Sequence, residues 1–540
     1  MQALKIGLLL DRPVADNYVY DLARWAKNQA DIRISHLLVH ARKPASSGWG
    51  SKVLLRLISC LETPLRKQRG LYSDHGRRFD LREIVEGVVE ISPIVSPRGD
   101  TYRLSSADVE KVRALDLDLL IRCDSIAPRG DVLHASRLGV IGLRSGHDRI
   151  FPGGAAGFWE CYDERPQTGF SIHRCADQAE RGEVLVSGSF RTRYAFSLNQ
   201  AHLCKKSYVH LRNLLARVAT TGRLPAAENA PHPDSGIGFP HPPRPHQCAA
   251  YGIKLGKRVL RRAMPRILGL KESWGISVLS GNWDNVEFSR GAEIRAPRGR
   301  CWADPFLYTH DGRTFCFVED LAYKTNRAHI TALEIVGTKA IERGICLKEP
   351  FHLSFPFIFK YQNDVYMCPE ASGSRQIRIY RCTELPLKWE LHRVVMENVS
   401  AADTLLFERQ DRWWMLTSID QSGTQDHASE LYLFSANSPL DTHWTPHPQN
   451  PIRIDARGGR NAGLIAEGGR LFRIAQRQGF DRYGEGILVY EIKSISAATY
   501  AEELVTEINP TFRTGLRATH HLSTDGKTTV IDHAFRSLSF

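Results

Sequence analysis

From Trp274 onward the chain keeps one rhythm: a short apolar run, a polar turn, then a second apolar run. The leading runs are Asp304-Pro-Phe-Leu-Tyr308, Phe355-Pro-Phe-Ile-Phe359, Asp403-Thr-Leu-Leu-Phe407, Ala462-Gly-Leu-Ile465 and His520-His-Leu-Ser523. The turns after them carry Asp, Asn, Gln and Gly, as in His310-Asp-Gly312 and Thr524-Asp-Gly526. Several of these residue types accept tight-turn backbone angles at low cost. Measured at their second residues, the five units are spaced 51, 48, 59 and 58 residues apart. A hairpin repeated at that period predicts an all-β five-bladed propeller, one blade per unit.

The first half of the chain has a different pattern. Lys5 to Asp11, Ile34 to Val39, Leu117 to Ile121 and Val140 to Leu143 are short apolar runs separated by helix-length segments, such as Tyr18 to Asn28. Strands alternating with helices predict an α/β domain with a parallel sheet, whose sites form at the carboxyl ends of the strands. Seven prolines between Pro225 and Pro245 remove backbone donors and forbid a regular helix there. The expected organisation is an α/β domain over 1–222, a proline-rich linker over 223–250, a basic amphipathic helix over 251–272 and the propeller over 273–540.

Composition narrows the class. Apolar residues make up 42% and charged residues 24%, which excludes a disordered or fibrous chain. The run Ile6 to Leu10 is too short to cross a bilayer or to serve as a signal core. Eleven cysteines without a Cys-x-x-Cys pair point to reduced thiols, a cytoplasmic setting and no metal ligand set. The net charge is +13. Its densest patch lies in the predicted helix, with Lys254, Lys257, Arg258, Arg261, Arg262, Arg266 and Lys271 around Leu255, Val259, Leu260, Ile267 and Leu268. This reads either as a solvated helix face or as a contact with an anionic membrane surface. No zinc finger or RNP-type motif is present, so nucleic acid is not an expected partner.

Three stretches of the first half resemble the catalytic domain of the formyl-tetrahydrofolate-dependent formyltransferases, a Rossmann-type α/β fold. They are Leu117 to Ile121, Gly139 to Gly153, and Thr168-Gly-Phe-Ser-Ile-His173 through Glu180-Arg-Gly-Glu-Val-Leu185. The resemblance implies formyl-tetrahydrofolate as the donor and a catalytic Asn, His and Asp. The matching positions hold Gly142, Arg144 and Glu180, with His173 retained nearby. Gly142 has no side chain to donate a hydrogen bond, and Arg144 stabilises an oxyanion but is no base near neutral pH. Ordinary use of that donor is therefore not expected, and no other cofactor is indicated.

The second half resembles the propeller module of the glucosamine inositolphosphorylceramide transferases and, more distantly, the five-bladed glycosidases of arabinanase and β-xylosidase type. Trp302-Ala-Asp-Pro-Phe306, Cys368-Pro-Glu-Ala371, Ala401-Ala-Asp-Thr404 and the Ser438–Pro451 stretch carry the likeness. Likeness to the glycosidases implies Asp304 as base, Glu370 as acid and Asp403 as the modulator of the acid. Trp302 would stack on a sugar ring, and Arg460 and His521 would hold an anionic group of the ligand. The residues alone leave these acids open between turn caps, a sugar-binding site and a hydrolytic or transferring site.

The expectation is thus a multidomain protein that modifies carbohydrate. An acyltransferase-like domain would act on an amino sugar, or a nucleotide- or lipid-linked sugar, held by the propeller. The alternatives are a non-catalytic glycan-binding or assembly protein, and a glycosidase active only in the propeller.

Overall fold

The computed structural model describes residues 3–41, 49–67, 70–97, 99–145, 148–150, 154–177, 182–227 and 243–538. It divides into two compact units, Met1–Arg258 and Val259–Phe540.

In the first unit a sheet runs in the spatial order Glu183–Arg191, Gln167–Arg174, Val140–Ser145, Leu119–Arg122, Leu4–Leu10, Ile32–His40, Gly87–Ile91. The last five strands are mutually parallel, and the first two are antiparallel additions at one edge. The central Leu4–Leu10 strand is almost wholly buried, which explains its unbroken apolar sequence: a parallel strand is covered on both faces. The chain leaves this strand toward Ile32–His40 on one side and later returns to Leu119–Arg122 on the other. Between the two lies the switch point where such sheets bind ligands.

The predicted basic helix differs in both extent and role. The helix spans Pro245–Ile267, and Leu270–Ser280 is already a strand. Its first turns belong to the first unit. Tyr251 packs among Leu55, Phe158, Trp159 and Phe196, accepts a hydrogen bond from the Phe196 N–H at 2.7 Å and donates one to buried Glu62. Residues 228–242 of the proline-rich stretch lie outside the described residues. A fragment ending at 227 is therefore expected to unfold about 3–5 kcal/mol more easily than one ending at 267, because it leaves a cavity and strips Glu62 of a partner. Urea titration of the two fragments checks this, and equal midpoints would mean the helix adds nothing to the unit.

The second unit is five antiparallel sheets of at least four strands each. Four are sequential meanders, with inner strands Arg300–His310, Ser354–Tyr361, Ala401–Arg409 and Arg460–Glu467. The fifth joins Leu270–Ser280 and Ala292–Ile294 to Leu522–Thr524 and Thr528–Leu538. Each inner strand touches the next, and the Leu522–Thr524 strand touches both Arg300–His310 and Arg460–Glu467. The cycle closes, which is the arrangement of a five-bladed propeller. Apolar clusters fill the spaces between neighbouring sheets. Among the described residues, no helix is long and apolar enough to cross a membrane.

Candidate functional site

One device recurs on four inner strands. The pairing register slips by one residue between Ala303 and Phe306, Ser354 and Phe357, Ala402 and Leu405, and Asn461 and Gly463. These are β-bulges, and at three of them a non-glycine residue sits at positive φ: Asp304 at 50°, Phe355 at 47° and Asp403 at 49°. Left-handed backbone is costly for residues with a Cβ and is held here only because the blades on either side enforce it. The bulge turns those side chains out of the sheet's alternation. In the first and third blades it sends a carboxylate toward the ring axis.

A cavity of about 290 Å³ results. It is lined by Trp274, Cys301, Ala303, Asp304, Glu319, Leu321, His352, Ser354, Glu370, Arg460, Tyr483 and His520. The ends of the second strands contribute Glu319 and Glu370, each paired with the residue just before a bulge.

Arg460 organises one side. Its Nε lies 2.5 Å from Asp403 Oδ2 and its Nη2 3.1 Å from Asp403 Oδ1, while Nη2 also reaches Glu370 Oε2 at 3.0 Å. The guanidinium lies over the Tyr483 ring, 5.2 Å from its centroid, and Gln476 donates to Asp403 Oδ2 at 3.0 Å. One cation thus serves two buried carboxylates. Burial pushes Asp403 well above the usual carboxylate range although Arg460 opposes it. Glu370 is also buried, but Arg460 prevails and holds it below that range.

The other side is built on His520. Its Nδ1 lies 2.6 Å from Asp532 Oδ2 and its Nε2 3.3 Å from Asp304 Oδ1. Trp274 packs against the imidazole, with ring centroids 4.3 Å apart. Burial works against the imidazolium, yet Asp532 and then Asp304 overcome it and raise His520 to about 9. Asp304 Oδ2 accepts the Phe355 N–H at 3.1 Å. Burial lifts Asp304 to about 7, with His520 pulling the other way. Near neutral pH Asp304 therefore exchanges a proton easily, while Glu370 stays ionised. Two carboxyl groups of one cavity have been driven apart in acidity, as acid–base catalysis requires.

Glu319 and His352 form a further pair, Oε1 to Nε2 at 3.1 Å. Asp304, His520 and Asp532 bring ligand atoms within 4.8 Å of one another. They have the chemistry to hold a divalent cation only if His520 gives up its proton.

Of the residues singled out from sequence, Asp304, Glu370 and Arg460 line the cavity, and Asp403 stands behind Arg460. Trp302 and His521 do not line it. Trp302 points to the opposite face of its strand and packs with Ile276, Val278, Cys316 and Val318 between blades. His521 is wholly buried against Phe306 and Phe355, and burial depresses it to about 3. The aromatic and histidine roles at the cavity fall instead to Trp274 and His520. Trp274 and Tyr483 lie outside the repeated units, so no spacing argument reaches them. His520 is the leading residue of its unit and was reachable by that register.

Arg144 and His173 belong to the first unit. Gly142 pairs with His173 and Arg144 with Ser171, so the Asn-equivalent position faces an imidazole across the ladder. Burial, and then repulsion by Arg122, lowers the pKa of the Arg144 guanidinium. Glu180 lies outside the described residues. Close by, His40 is buried between Asp11 and Asp124, at 3.6 and 3.5 Å, where the central strands end.

The family described as glucosamine inositolphosphorylceramide transferase 1, N-terminal, matches residues 294–520. The glucosamine inositolphosphorylceramide transferase 1 of Oryza sativa subsp. japonica is 36% identical over 206 residues, covering 37% of this chain and 27% of the relative. That of Arabidopsis thaliana is 33% identical over 205 residues, covering 37% and 26%. The match thus spans about a quarter of the curated relatives' length. Among solved structures, the catalytic domain of Coprinopsis cinerea GH62 α-L-arabinofuranosidase superposes with a TM-score of 0.34 at 13% identity, over 48% of this chain and 97% of that one. The Bombyx mori GH32 β-fructofuranosidase BmSUC1 gives 0.34 at 12% identity, over 52% and 66%.

Proposed function

We propose that this protein modifies carbohydrate, with the propeller cavity as the saccharide site. The observation that carries the reading is the opposed acidity of Asp304 and Glu370 in one cavity. In glycoside chemistry one carboxylic acid protonates the leaving oxygen while a second carboxylate supports the developing oxocarbenium ion or activates water. Here the roles implied by the glycosidases are exchanged. Asp304, raised to about 7, is the proton donor, and Glu370, ionised against Arg460, is the carboxylate. Trp274 offers its face to a sugar ring. The curated relatives are named for glucosamine and inositolphosphorylceramide, which favours a saccharide of a glycan or lipid-linked precursor as the ligand.

The first unit is proposed as an acyltransferase-like partner domain acting on an amino sugar, with Arg144 as the oxyanion-stabilising group. Formyl-tetrahydrofolate chemistry does not fit its residues. Gly142 supplies no amide, and its place beside His173 leaves a Cβ only 3.3 Å from the ring.

A second reading, a glycan-binding protein without turnover, is favoured by one observation: Arg460 already occupies both Asp403 and Glu370 with hydrogen bonds. Thermal denaturation of the full chain with glucosamine, UDP-N-acetylglucosamine, methyl glycosides and formyl-tetrahydrofolate tests both. A saccharide at about 100 times its dissociation constant should stabilise by about 2.7 kcal/mol, and Glu370→Gln should remove the effect. A shift with the folate alone would refute the propeller as the site. Saccharide binding without any product would select the second reading.

A further inference from the structure

The Pro245–Ile267 helix is amphipathic twice over. One face is docked: Tyr251 is 1% exposed, Arg258 is 5% exposed and donates to the Cys161 and Tyr162 carbonyls, and Leu255 packs beside them. The opposite face carries a second apolar stripe at helical spacing, Ile253, Leu260, Met264 and Ile267, and it is bare. Ile253 is 65%, Leu260 58% and Ile267 75% exposed. A helix that has already buried one apolar face gains nothing from a second unless something else covers it.

The stripe is edged by exposed Lys257 and Arg261. From Arg244 to Lys271 the chain carries eight Lys or Arg residues and no Asp or Glu. The Trp49–Leu61 helix, which shares the core cluster of Leu55, Ile58, Tyr251 and Leu255, repeats the design. Val53, Leu57 and Leu61 are exposed four residues apart, Leu61 at 80%, and Arg56 stands beside them. The one acid near its end, Glu62, is turned inward to Tyr251 and the Ser197 N–H.

We propose that the Pro245–Ile267 helix is a docking surface for an anionic lipid bilayer, on which it lies in the interfacial plane. The bare stripe enters the boundary between headgroups and acyl chains, and the lysines and arginines along its edges meet the lipid phosphates. The combination of apolar stripe, cationic edges and missing acids is what selects this occupant. A protein partner would need acids to match the exposed cations, and nucleic acid would leave the stripe wet. Lys257 and Arg261 reach outward along long apolar stems, which lets them bind phosphate while the stripe is immersed. The surface is distinct from the propeller cavity and does not depend on its chemistry.

Flotation of the full chain with vesicles tests this. Phosphatidylcholine containing about a third phosphatidylglycerol should carry the protein to the top of the gradient, and pure phosphatidylcholine should not. Raising the salt to about 0.5 M should weaken the association, as screening requires. Ile253→Ser, Leu260→Ser and Ile267→Ser combined should reduce partitioning at least tenfold, and Lys257→Glu with Arg261→Glu should do so to a similar extent. Val336→Ser, at an exposed apolar position on a blade, should change nothing. All of these positions are exposed, and circular dichroism of the variants confirms that they fold. Equal binding to neutral vesicles, or full binding by the triple serine variant, overturns the proposal. So does a dimer of the wild-type chain that the triple variant dissolves without any vesicle binding, which would give the stripe to a second copy.

Discussion

Arg460→Ala is expected to cost the propeller about 3–5 kcal/mol of unfolding free energy, the usual consequence of stripping the partner from buried charges. Asp403 is 1% and Glu370 11% exposed at the side chain, so neither regains full hydration when the guanidinium goes. The variant must either bury unpaired carboxylates or protonate them. Burial already raises the Asp403 carboxyl against the pull of Arg460, and losing that pull raises it further. The penalty should therefore shrink as the pH falls and deepen above neutrality. Adding Asp403→Asn to the alanine variant should recover more than half of the loss, since the amide keeps the hydrogen bonds and sheds the charge. Urea titrations at about pH 5 and pH 8 measure both effects. If the loss is the same at the two pH values, Arg460 contributes by packing on Tyr483 alone.

Asp304→Asn should separate function from stability. The folded carboxyl titrates at about 7 against an ordinary 3.8. A raised carboxyl disfavours the folded state progressively as pH climbs through that interval. The whole shift, in which the pull of His520 is already included, is worth about 4 kcal/mol. The asparagine variant should thus be about 4 kcal/mol more stable than the parent at pH 8 and little better near pH 4. His520, raised to about 9 from 6.5, contributes stability that is complete below 6.5 and lost as pH rises through 9. Wild type should accordingly lose stability in two stages as the pH rises, first between 3.8 and about 7 through Asp304 and then between 6.5 and about 9 through His520. Saccharide turnover should fall at least a hundredfold in the variant, because the amide cannot deliver the proton. A variant that instead melts several kcal/mol lower at every pH would mark Asp304 as a structural cap of the Phe355 N–H.

The number of blades and the leading residues of the inner strands were legible because a propeller repeats. Asp304 and Asp403 fall in the same register of two repeats, and the ring turns equal register into equal depth along the axis. Glu319 and Glu370 followed from the same arithmetic. Trp302 did not, because strict alternation cannot anticipate a bulge: the extra residue at Asp304 puts Ala303 and Asp304 on the cavity and Trp302 behind it. His521 failed for a related reason, since adjacent histidines face opposite ways and only one of them meets Trp274. Trp274 and Asp532 were out of reach because Leu270–Ser280 pairs with a strand more than 250 residues later, a distance at which local pattern says nothing. In the first unit the parallel strands were readable as apolar runs. The helix that completes that core hides behind prolines that suggest a boundary.

The shared sheet that closes the ring has a kinetic meaning. Trp274 lies on its early strand, and Asp532 on its late one with His520 just before it. Four blades can form from neighbouring hairpins as they leave the ribosome, but the cavity cannot, since its two walls meet only when those distant strands pair. Closure of so long a loop is entropically costly and slow. The step that commits the domain to its native state is therefore also the step that creates the proton-carrying Asp304. A chain arrested short of it would hold folded sheets and no chemistry. The contact of Trp274 with His520 makes that step visible from within, because the indole changes surroundings at the moment the ring locks.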